Sequence, residues 1–352
     1  MDAIVNQETA FLERALGDIA GAYTGVMVNL GHKLGLYKAL AGAGPLSSHE
    51  VAKRTGCTER YVREWLNSQA AAGYLVYHPS SASYELPAAH RAVLADEDSP
   101  AFMPLAWEVP ASMWIDQEMS LNAFRTGAGI PWGQHSKRLF CGSAAFYRNG
   151  YRAQLVPQWI PALDGVKAKL ERGISVADVG CGHGYSTVLL AEVFPKSRFW
   201  GFDAHPASIE AARRNAEKAG VADRVTFEIA DAKTYADHRF GLICFFDCLH
   251  DMGDPLGAVR HARRALAEDG TVMLVEPFAH DKVEQNLGLV GQLFYSASTT
   301  ICLAHALSEE GGHALGAQAG EARFADIFRK GGFSHFRRAT ETPFNLILEA
   351  RA

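Results

Sequence analysis

The sequence predicts an α/β fold in its second half, with a largely parallel sheet closed by an antiparallel C-terminal hairpin. A smaller, mainly helical domain precedes it in the chain. Two observations carry this prediction. Short apolar runs alternate with helical patterns from residue 176 onward, as in parallel sheets. A glycine-rich turn at 180–184 follows the first run, and the acid Asp203 follows the second. At 352 residues the chain exceeds the usual size of one core, so we expect two domains.

Each predicted strand is an apolar run bounded by a turn or helix signal. The strands of the sheet are 176–179, 198–202, 225–232, 240–246 and 271–275, and two short patterns near 335–339 and 344–349 end the chain. A helix at 185–193 follows the glycine turn, a second lies at 257–266, and a last helix ends at residues 331–332. Strands joined by helices favour parallel pairing.

The glycine-rich turn has the residues that a cofactor site requires. Gly180, Gly182 and Gly184 alternate along the chain, and glycine lets the backbone turn tightly and approach a ligand without a Cβ in the way. The helix behind the turn directs its positive end toward whatever the turn holds. Asp203, at the carboxyl end of the next strand, can accept hydrogen bonds from two ribose hydroxyls.

Two cofactor classes compete for this turn. A dinucleotide site requires G-x-G-x-x-G, whereas Tyr185 and Ser186 stand here in place of the third glycine. Asp178, in the strand before the turn, suits a cationic amino-acid group better than a pyrophosphate, which it would repel. A tight turn without any ligand is the third interpretation. The pattern D-x-G-x-G-x-G, followed by a strand-end acid, resembles motif I of class I S-adenosylmethionine-dependent methyltransferases.

This resemblance covers about residues 155–352 and implies a Rossmann-like sheet that binds S-adenosylmethionine without a metal. Asp203 would then hold the ribose, and Asp231, at the end of the third strand, would hold the adenine amino group. The resemblance implies twelve cofactor-binding residues: Asp178, Gly180, Cys181, Gly182, Gly184, Tyr185, Asp203, Ala204, Asp231, Ala232, Phe246 and Asp247.

The segment Leu-His-Asp at 249–251, after the fourth strand, resembles the catalytic L-H-D-W of plant-type O-methyltransferases, with Met252 replacing the tryptophan. The resemblance implies that His250 removes the proton from a substrate hydroxyl. An ordinary histidine pKa of about 6.5 suits that role. Glu276, just after the fifth strand, would orient the His250 ring.

The family's second glutamate, ahead of the last helix, has no clear match in this chain. Gln318 stands near its place, and Glu321 is the nearest acid. A structural role, in which His250 caps Asp254 or a loop carbonyl, is the alternative to base catalysis. A C- or N-methyltransferase that works by proximity and orientation alone is a further alternative.

Residues 1–95 predict a winged-helix domain. Residues 46–56 have the capping signals of a helix that ends at a glycine, and 73–77 with 84–86 form a small hairpin pattern. Between them, residues 61–72 form a second helix with one apolar face made of Val62, Trp65, Leu66 and Gln69. This order of elements raises DNA binding as a rival function, including that of a regulator that senses S-adenosylmethionine.

Charge argues against that rival function. Residues 1–95 contain as many acidic as basic side chains, and the wing between Val76 and Leu86 has no lysine or arginine. In the small-molecule O-methyltransferases that the chain resembles, the winged helix dimerises instead, so a homodimer is one expectation. Apolar residues at helical spacing near the start, Phe11, Leu12, Ala15, Leu16 and Ile19, fit a partner-facing helix or a plain core helix.

Residues 96–160 are the most aromatic stretch and form a predicted helical bridge to the catalytic domain at 161–352. Such a stretch packs domains together or lines a cleft for an apolar ligand. Parts of it look like the segments before motif I in plant-type O-methyltransferases, and the apolar stretch 286–312 is expected to roof the active site. The expected substrate-side residues are Trp132, Phe146, Tyr147, Tyr151, Phe294 and Tyr295.

Absent motifs narrow the reaction further. The place after the fourth strand lacks the Asn/Asp-Pro-Pro-aromatic tetrad of amino-group methylation, and no proline precedes Cys248 as cytosine methylation requires. A formal net charge of −5 argues against nucleic acid as substrate. Six scattered cysteines, a polar start and no long apolar run indicate a cytoplasmic protein without disulfides, zinc or membrane spans. The expected substrate is therefore a small, apolar, hydroxylated molecule.

Overall fold

The computed structural model describes the backbone of residues 2–352 and the side chains from residue 6 onward, so the first residues of the predicted polar start lie outside the described part. No helix within this range is long and apolar enough to cross a membrane. Spatial proximity divides the chain into two units. The first contains the residues up to Ala111 together with Phe140–Asn149, and the second contains Ser112–Leu139 and Gly150–Ala352.

The first unit has the helix, turn, helix and hairpin that the sequence predicts. Ser47 caps α3 (Ser48–Thr55) in a capping box with Glu50, and Gly56 ends that helix in the left-handed conformation. The predicted apolar face of the helix that follows is buried. The elements of the first unit are α1 (Asp2–Lys33), α2 (Leu36–Leu40), α3 (Ser48–Thr55), α4 (Glu59–Ala71), the antiparallel pair β1 (Val76–His78) and β2 (Ser83–Glu85), and α5 (Ala88–Leu94).

The first strand of the hairpin begins later than the sequence predicts. Gly73 has a φ of 76°, and the amides of Tyr74 and Leu75 donate to the carbonyl of Gln69. These bonds complete the end of α4, so residues 73–75 are not available for strand pairing.

The predicted aromatic bridge is helical, and the division between the units runs through it. Its elements are α6 (Glu108–Ile115), α7 (Gln117–Thr126), α8 (Lys137–Gln154), a π-helical turn (Leu155–Trp159) and α9 (Ile160–Ala162), with short 3₁₀ turns at Pro104–Trp107 and Trp132–Gln134.

The second unit alternates strands and helices from residue 166 to the end. Its helices are α10 (Val166–Arg172), α11 (Tyr185–Val193), α12 (Pro206–Lys218), α13 (Pro255–Ala265), α14 (Leu289–Thr300), α15 (Cys302–Ser308) and α16 (Glu321–Lys330), with 3₁₀ turns at Leu249–Asp251 and Val283–Gln285. Its strands are β3 (Ser175–Val179), β4 (Arg198–Asp203), β5 (Val225–Ile229), β6 (Phe240–Phe246), β7 (Leu266–Pro277), β8 (His335–Glu341) and β9 (Asn345–Arg351).

These seven strands form one sheet in the order β5-β4-β3-β6-β7-β9-β8. Strands β3 to β7 pair in parallel, and β9 inserts antiparallel between β7 and β8. The predicted fold class is therefore confirmed. The chain reverses its direction of winding beside β3, so the carboxyl ends of β3, β4 and β6 meet at the point where such sheets bind ligands.

Three boundaries of the second unit differ from the sequence prediction. The strand predicted to reach residue 232 ends at Ile229, because its neighbour β4 ends at Asp203, opposite Ile229. The helix predicted to reach residue 266 ends at Ala265, because Leu266 already pairs with Phe240 before a register shift brings Leu242 opposite Thr271. The predicted roof at 286–312 is two helices, α14 and α15, separated at Ile301.

Two glycines of α1 should respond oppositely to alanine. A Cβ added at Gly21 would meet nothing within 4 Å, whereas a Cβ at Gly31 would overlap the rings of Trp65 and Tyr37. We expect Gly21→Ala to stabilise by about 0.5–1 kcal/mol through helix propensity. Gly31→Ala should destabilise by about 1–3 kcal/mol through overpacking. Thermal unfolding of the two variants measures this, and equal shifts of the same sign would contradict the packing around Gly31.

Candidate active site

The glycine-rich turn joins β3 to α11 and is fastened to the neighbouring strand. Gly180, Gly182 and Gly184 all have positive φ, at 75°, 52° and 71°. The amides of Gly180 and Cys181 donate to the carbonyl of Phe202 at 2.8 and 3.0 Å. This turn therefore needs three left-handed residues in five positions, which explains why glycine occupies them.

The three glycines have different surroundings. A Cβ at Gly180 would lie 2.7 Å from the Cys248 sulfur, and one at Gly184 would lie 2.5 Å from the Phe227 ring. A Cβ at Gly182 would meet none of the described atoms within 4 Å. Gly180 and Gly184 thus permit close packing of protein against protein, and Gly182 is the one of the three whose backbone borders open space.

Asp178 lies under the turn and is 1% exposed. Its Oδ2 accepts hydrogen bonds from the hydroxyls of Ser186 and Thr187, both at 2.6 Å, which fixes the first turn of α11. Its Oδ1 has no partner among the described residues. Burial raises the pKa of Asp178 to about 6, against the lowering effect of the two hydroxyls. A cationic hydrogen-bond donor near Oδ1 would offset the free-energy cost of burying the charged carboxylate.

Asp203 shapes the turn from the end of β4. Its Oδ2 accepts the amide of Gly182 at 2.9 Å, and its Oδ1 accepts the amide of His205 at 2.8 Å. Each carboxylate oxygen has two lone pairs, so both oxygens keep capacity for a further donor such as a ribose hydroxyl.

The remaining predicted cofactor residues lie beside the same edge of the sheet. Ala204 follows β4 and is exposed, and Tyr185 begins α11 half-buried. Asp231 is exposed just beyond β5, with its Oδ1 accepting the Lys233 amide at 2.7 Å, and Ala232 beside it is half-buried.

Asp247 follows β6 with a φ of 51° and connects three segments of the chain. Its amide donates to the Val275 carbonyl at 2.8 Å, the Tyr151 hydroxyl donates to its Oδ2 at 2.7 Å, and the Asn345 amide group donates to its Oδ1 at 3.1 Å. Burial and the negative charge of Glu276 raise the pKa of Asp247 to about 7.

Tyr151 and Asn345 therefore belong to the site. The Tyr151 ring also lies 5.4 Å from the ring of Phe246, so this predicted substrate-side residue contacts two predicted cofactor residues. Sequence reasoning missed Asn345. The signal that could have found it is its position at the start of β9, opposite Pro277 at the end of β7.

His250 and Glu276 form the buried pair that the sequence predicts. His250 Nδ1 lies 2.5 Å from Glu276 Oε2, and the side chains are 3% and 0% exposed. The other oxygen of Glu276 accepts the Leu249 amide at 3.1 Å, which fixes the carboxylate against the turn that carries His250. Because Nδ1 faces a carboxylate, only Nε2 is left for a further partner.

The pKa of His250 lies well above its ordinary value. Burial alone lowers it, but the Glu276 carboxylate and the hydrogen-bonded side chain of Cys302 raise it by more. The alternative in which His250 caps Asp254 is not found, because Asp254 caps α13 by accepting the Gly257 amide. The backbone carbonyl of His250 has a structural role, because it accepts a hydrogen bond from the amide of Gly316 at 3.2 Å.

The two residues nearest to the family's second glutamate are engaged elsewhere. Gln318 donates to the carbonyls of Phe278 and Ala317, and Glu321 pairs with Arg338. Neither bond involves His250.

The predicted substrate-side residues divide between the units. Trp132 lies 5.6 Å from the ring of His305 on α15. Phe294 and Tyr295 are half-buried on α14, the helix before α15, and α15 packs beside the turn of His250. Phe146 and Tyr147 belong to the first unit and pack edge to face, 5.3 Å apart.

In the part of the chain that the structure describes, no three His, Cys, Asp or Glu side chains come together as metal ligands.

Comparisons with known proteins agree with this arrangement. A family profile described as a methyltransferase domain matches residues 170–331, and one described as an Rv2258c-like winged HTH domain matches residues 22–96. The 27-O-demethylrifamycin SV methyltransferase of Amycolatopsis mediterranei is 34% identical over 107 residues, which are 30% of this chain and 39% of that protein. A protein-L-isoaspartate O-methyltransferase of Thermococcus onnurineus is 44% identical over 64 residues, 18% of this chain and 29% of that protein. The matches span less than half of either relative.

Solved structures resemble the chain over almost its whole length. The mitomycin 7-O-methyltransferase MmcR matches with a TM-score of 0.66 at 20% identity, over 99% of this chain and 100% of that chain. Human N-acetylserotonin methyltransferase, solved with S-adenosylmethionine, matches with a TM-score of 0.72 at 15% identity, over 97% of each chain. Likeness at these identities establishes the fold.

Strand order, the glycine turn with its two strand-end acids, and the two matching domain profiles lead to the same assignment. The chain contains a methyltransferase domain preceded by a winged helix-turn-helix domain, and its fold is that of the S-adenosylmethionine-dependent O-methyltransferases that it resembles.

Proposed function

We propose that this protein transfers the methyl group of S-adenosylmethionine to a hydroxyl oxygen of a small apolar molecule. The observation that carries the proposal is the buried His250–Glu276 pair at the end of β6 and β7, next to the glycine turn at the end of β3. The relatives named above include methyltransferases whose names specify oxygen as the acceptor atom, which supports the same chemistry here.

The residues around the turn suit this cofactor. S-adenosylmethionine supplies an electrophilic methyl group on a sulfonium centre. In the proposal, the backbone at Gly182 borders its amino-acid end, the spare capacity of Asp203 serves the ribose hydroxyls, and Asp231 serves the adenine amino group. The unpartnered Oδ1 of Asp178 favours a cationic group nearby.

His250 acts as the general base in this proposal. Its Nε2 takes the proton from the substrate hydroxyl while Glu276 holds Nδ1 and stabilises the imidazolium that forms. Both side chains are almost fully buried, so water is excluded from the proton transfer. A base with a raised pKa is stronger, but it must first lose its own proton, so activity should rise with pH.

The aromatic residues on the substrate side favour an apolar, aromatic-sized acceptor. Tyr151 lies directly beside Phe246, while Trp132, Phe294 and Tyr295 flank or precede α15. Phe146 and Tyr147 stay substrate-side residues predicted from the sequence.

A homodimer and a cytoplasmic location complete the proposal. Four large apolar side chains on one stretch of α1 are exposed in the single chain, which supports a second copy as their partner: Phe11, Leu12, Leu16 and Ile19. The six cysteines are all free thiols, which supports a reducing compartment.

The cofactor assignment predicts that Gly182→Val weakens binding of S-adenosylhomocysteine at least tenfold, because the added side chain fills the space beside the turn. Gly220→Val is the matched control. Gly220 also has positive φ and open surroundings, but it lies between α12 and β5, at the opposite edge of the sheet. Asp203→Ala should cost on the order of 1 kcal/mol or more of binding free energy.

Isothermal titration calorimetry of each variant with S-adenosylhomocysteine provides the measurement. Equal affinities for Gly182→Val and Gly220→Val would contradict the cofactor site, as would tighter binding of NAD than of S-adenosylhomocysteine.

The base assignment predicts that His250→Ala slows methyl transfer by a factor of about 10² to 10⁴ while cofactor affinity hardly changes. In the wild type, kcat/KM should rise with pH through the pKa of His250, which lies above 6.5, because only the neutral ring accepts a proton. In His250→Ala that rise should move to the higher pH at which the substrate ionises unaided. His335→Ala, at an exposed position on β8, is the control.

Initial rates with labelled cofactor across a pH series test this assignment. Wild-type turnover by His250→Ala at neutral pH would favour methylation by proximity alone, at oxygen, nitrogen or carbon.

The winged helix is predicted not to bind duplex DNA specifically, because its acidic and basic side chains balance and its wing lacks cations. Fluorescence polarisation with a random duplex library at about 0.15 M salt should show no sequence-dependent affinity tighter than about 1 µM. Sub-micromolar, sequence-dependent binding would instead support a transcriptional regulator. Sedimentation of the full chain decides the homodimer.

A further inference from the structure

The second unit contains another histidine–carboxylate pair, which the mechanism above does not use. His135 Nδ1 lies 3.1 Å from Asp116 Oδ2, and the two side chains are 2% and 8% exposed. Asp116 also accepts the amide of Ser136 at 2.9 Å. The pair is therefore rigidly placed, at the junction of α6 and α7 and after the 3₁₀ turn of Trp132.

The outer nitrogen of this pair has no hydrogen-bond partner. His135 Nε2 is buried, and none of the described residues donates to it or accepts from it. Leaving a buried polar atom without a hydrogen-bond partner costs about 1–3 kcal/mol of folding free energy. Such an atom in a folded protein calls for a functional explanation, such as a hydrogen bond to a ligand. Because the carboxylate of Asp116 faces Nδ1, the proton of the neutral ring lies on Nδ1, and Nε2 offers a lone pair.

His135 is connected to the base through α15. The Ile130 amide donates to the Ala304 carbonyl at 2.7 Å, and the Trp132 ring lies 6.2 Å from that of His135 and 5.6 Å from that of His305. At its other end α15 carries Cys302, whose side chain is hydrogen-bonded to His250. One short helix therefore connects the surroundings of both histidines.

His305 repeats the arrangement on α15 itself. Its Nε2 lies 3.4 Å from Glu309 Oε1, and its Nδ1 is buried with no partner among the described residues. Glu309 in turn accepts the amide of Gly253, close to His250 in the chain. Burial lowers the pKa of His305, which keeps its ring neutral and its Nδ1 an acceptor.

We propose that His135, held by Asp116, is a substrate-positioning residue that accepts a hydrogen bond from a second hydroxyl or N–H group of the methyl acceptor. The inference rests on the proposed function and narrows its substrate class. Two ring nitrogens without a protein partner, His135 Nε2 and His305 Nδ1, belong to rings that lie beside the indole of Trp132. A second hydroxyl or N–H group, as in a diol or amino alcohol on an aromatic frame, would give His135 Nε2 the hydrogen bond that it lacks.

The experiment compares a naphthol with a panel of naphthalenediols that differ in the spacing of their hydroxyls. Calorimetry measures binding of each compound to enzyme saturated with S-adenosylhomocysteine, and labelled S-adenosylmethionine measures transfer. The wild type should bind at least one diol about tenfold or more better than the naphthol, since a site built to bond a hydroxyl rejects the analogue that lacks it.

Two isosteric variants separate the nitrogens of His135. In His135→Asn the amide keeps a donor for Asp116 but removes the acceptor at Nε2, and in His135→Gln the amide keeps a polar group near Nε2. His135→Asn should abolish the preference for the diol by raising its KM, with kcat, naphthol turnover and affinity for S-adenosylhomocysteine unchanged. His135→Gln should restore part of the preference.

The outcomes distinguish this inference from the proposed function. A diol preference that disappears in His135→Asn supports the inference even if no methyl group is transferred, in which case the proposed function is wrong. Equal binding of the naphthol and every diol by the wild type, including no binding of any of them, overturns the inference. So does a His135→Asn variant that loses only thermal stability, because the pair would then be structural.

Discussion

The parallel pairing of β3 with both β4 and β6 is the constraint on which the site depends. Parallel strands in register place their carboxyl ends at one edge, so the glycine turn, Asp203 and Asp247 come together although they are far apart in sequence. The amides of Gly180 and Cys181 then fasten the turn to the carbonyl of Phe202 in β4. Without the register of β3 against β4, Asp203 would not reach the Gly182 amide.

Burial of charge gives this edge its chemical character. The pKa values of Asp178, Asp247 and Asp251 are all raised, to about 6, 7 and 7, and burial is the first cause in each case. Such an environment strengthens every charge–charge interaction inside it, so the cation formed at His250 would be stabilised by several carboxylates and not by Glu276 alone. Destabilised acids of this kind are typical of sites that await a positively charged partner.

The sequence was informative where candidate site residues directly follow the predicted strands. The sheet follows from short apolar runs, and the structure confirms it. The pairing of His250 with Glu276 was implied by the resemblance to plant-type O-methyltransferases, and the two side chains are in contact in the structure. It was uninformative where contacts join segments distant in sequence. Asn345 on Asp247 and His135 on Asp116 depend on how a terminal strand and an interhelical turn fold back, and no local periodicity encodes that. Leu266 was predicted to end a helix but is the first residue of β7, because its pairing with Phe240 overrides helix propensity.

The unequal surroundings of the three glycines bear on how the motif would diverge. In this chain Gly180 and Gly184 are required both by their left-handed backbone and by the Cys248 sulfur and the Phe227 ring. Gly182 shares the left-handed backbone, but a Cβ there would meet none of the described atoms. In a descendant that had lost its cofactor, selection would therefore keep one constraint at the middle position, and asparagine, which tolerates this backbone, would become acceptable there. At the outer two positions both constraints would persist.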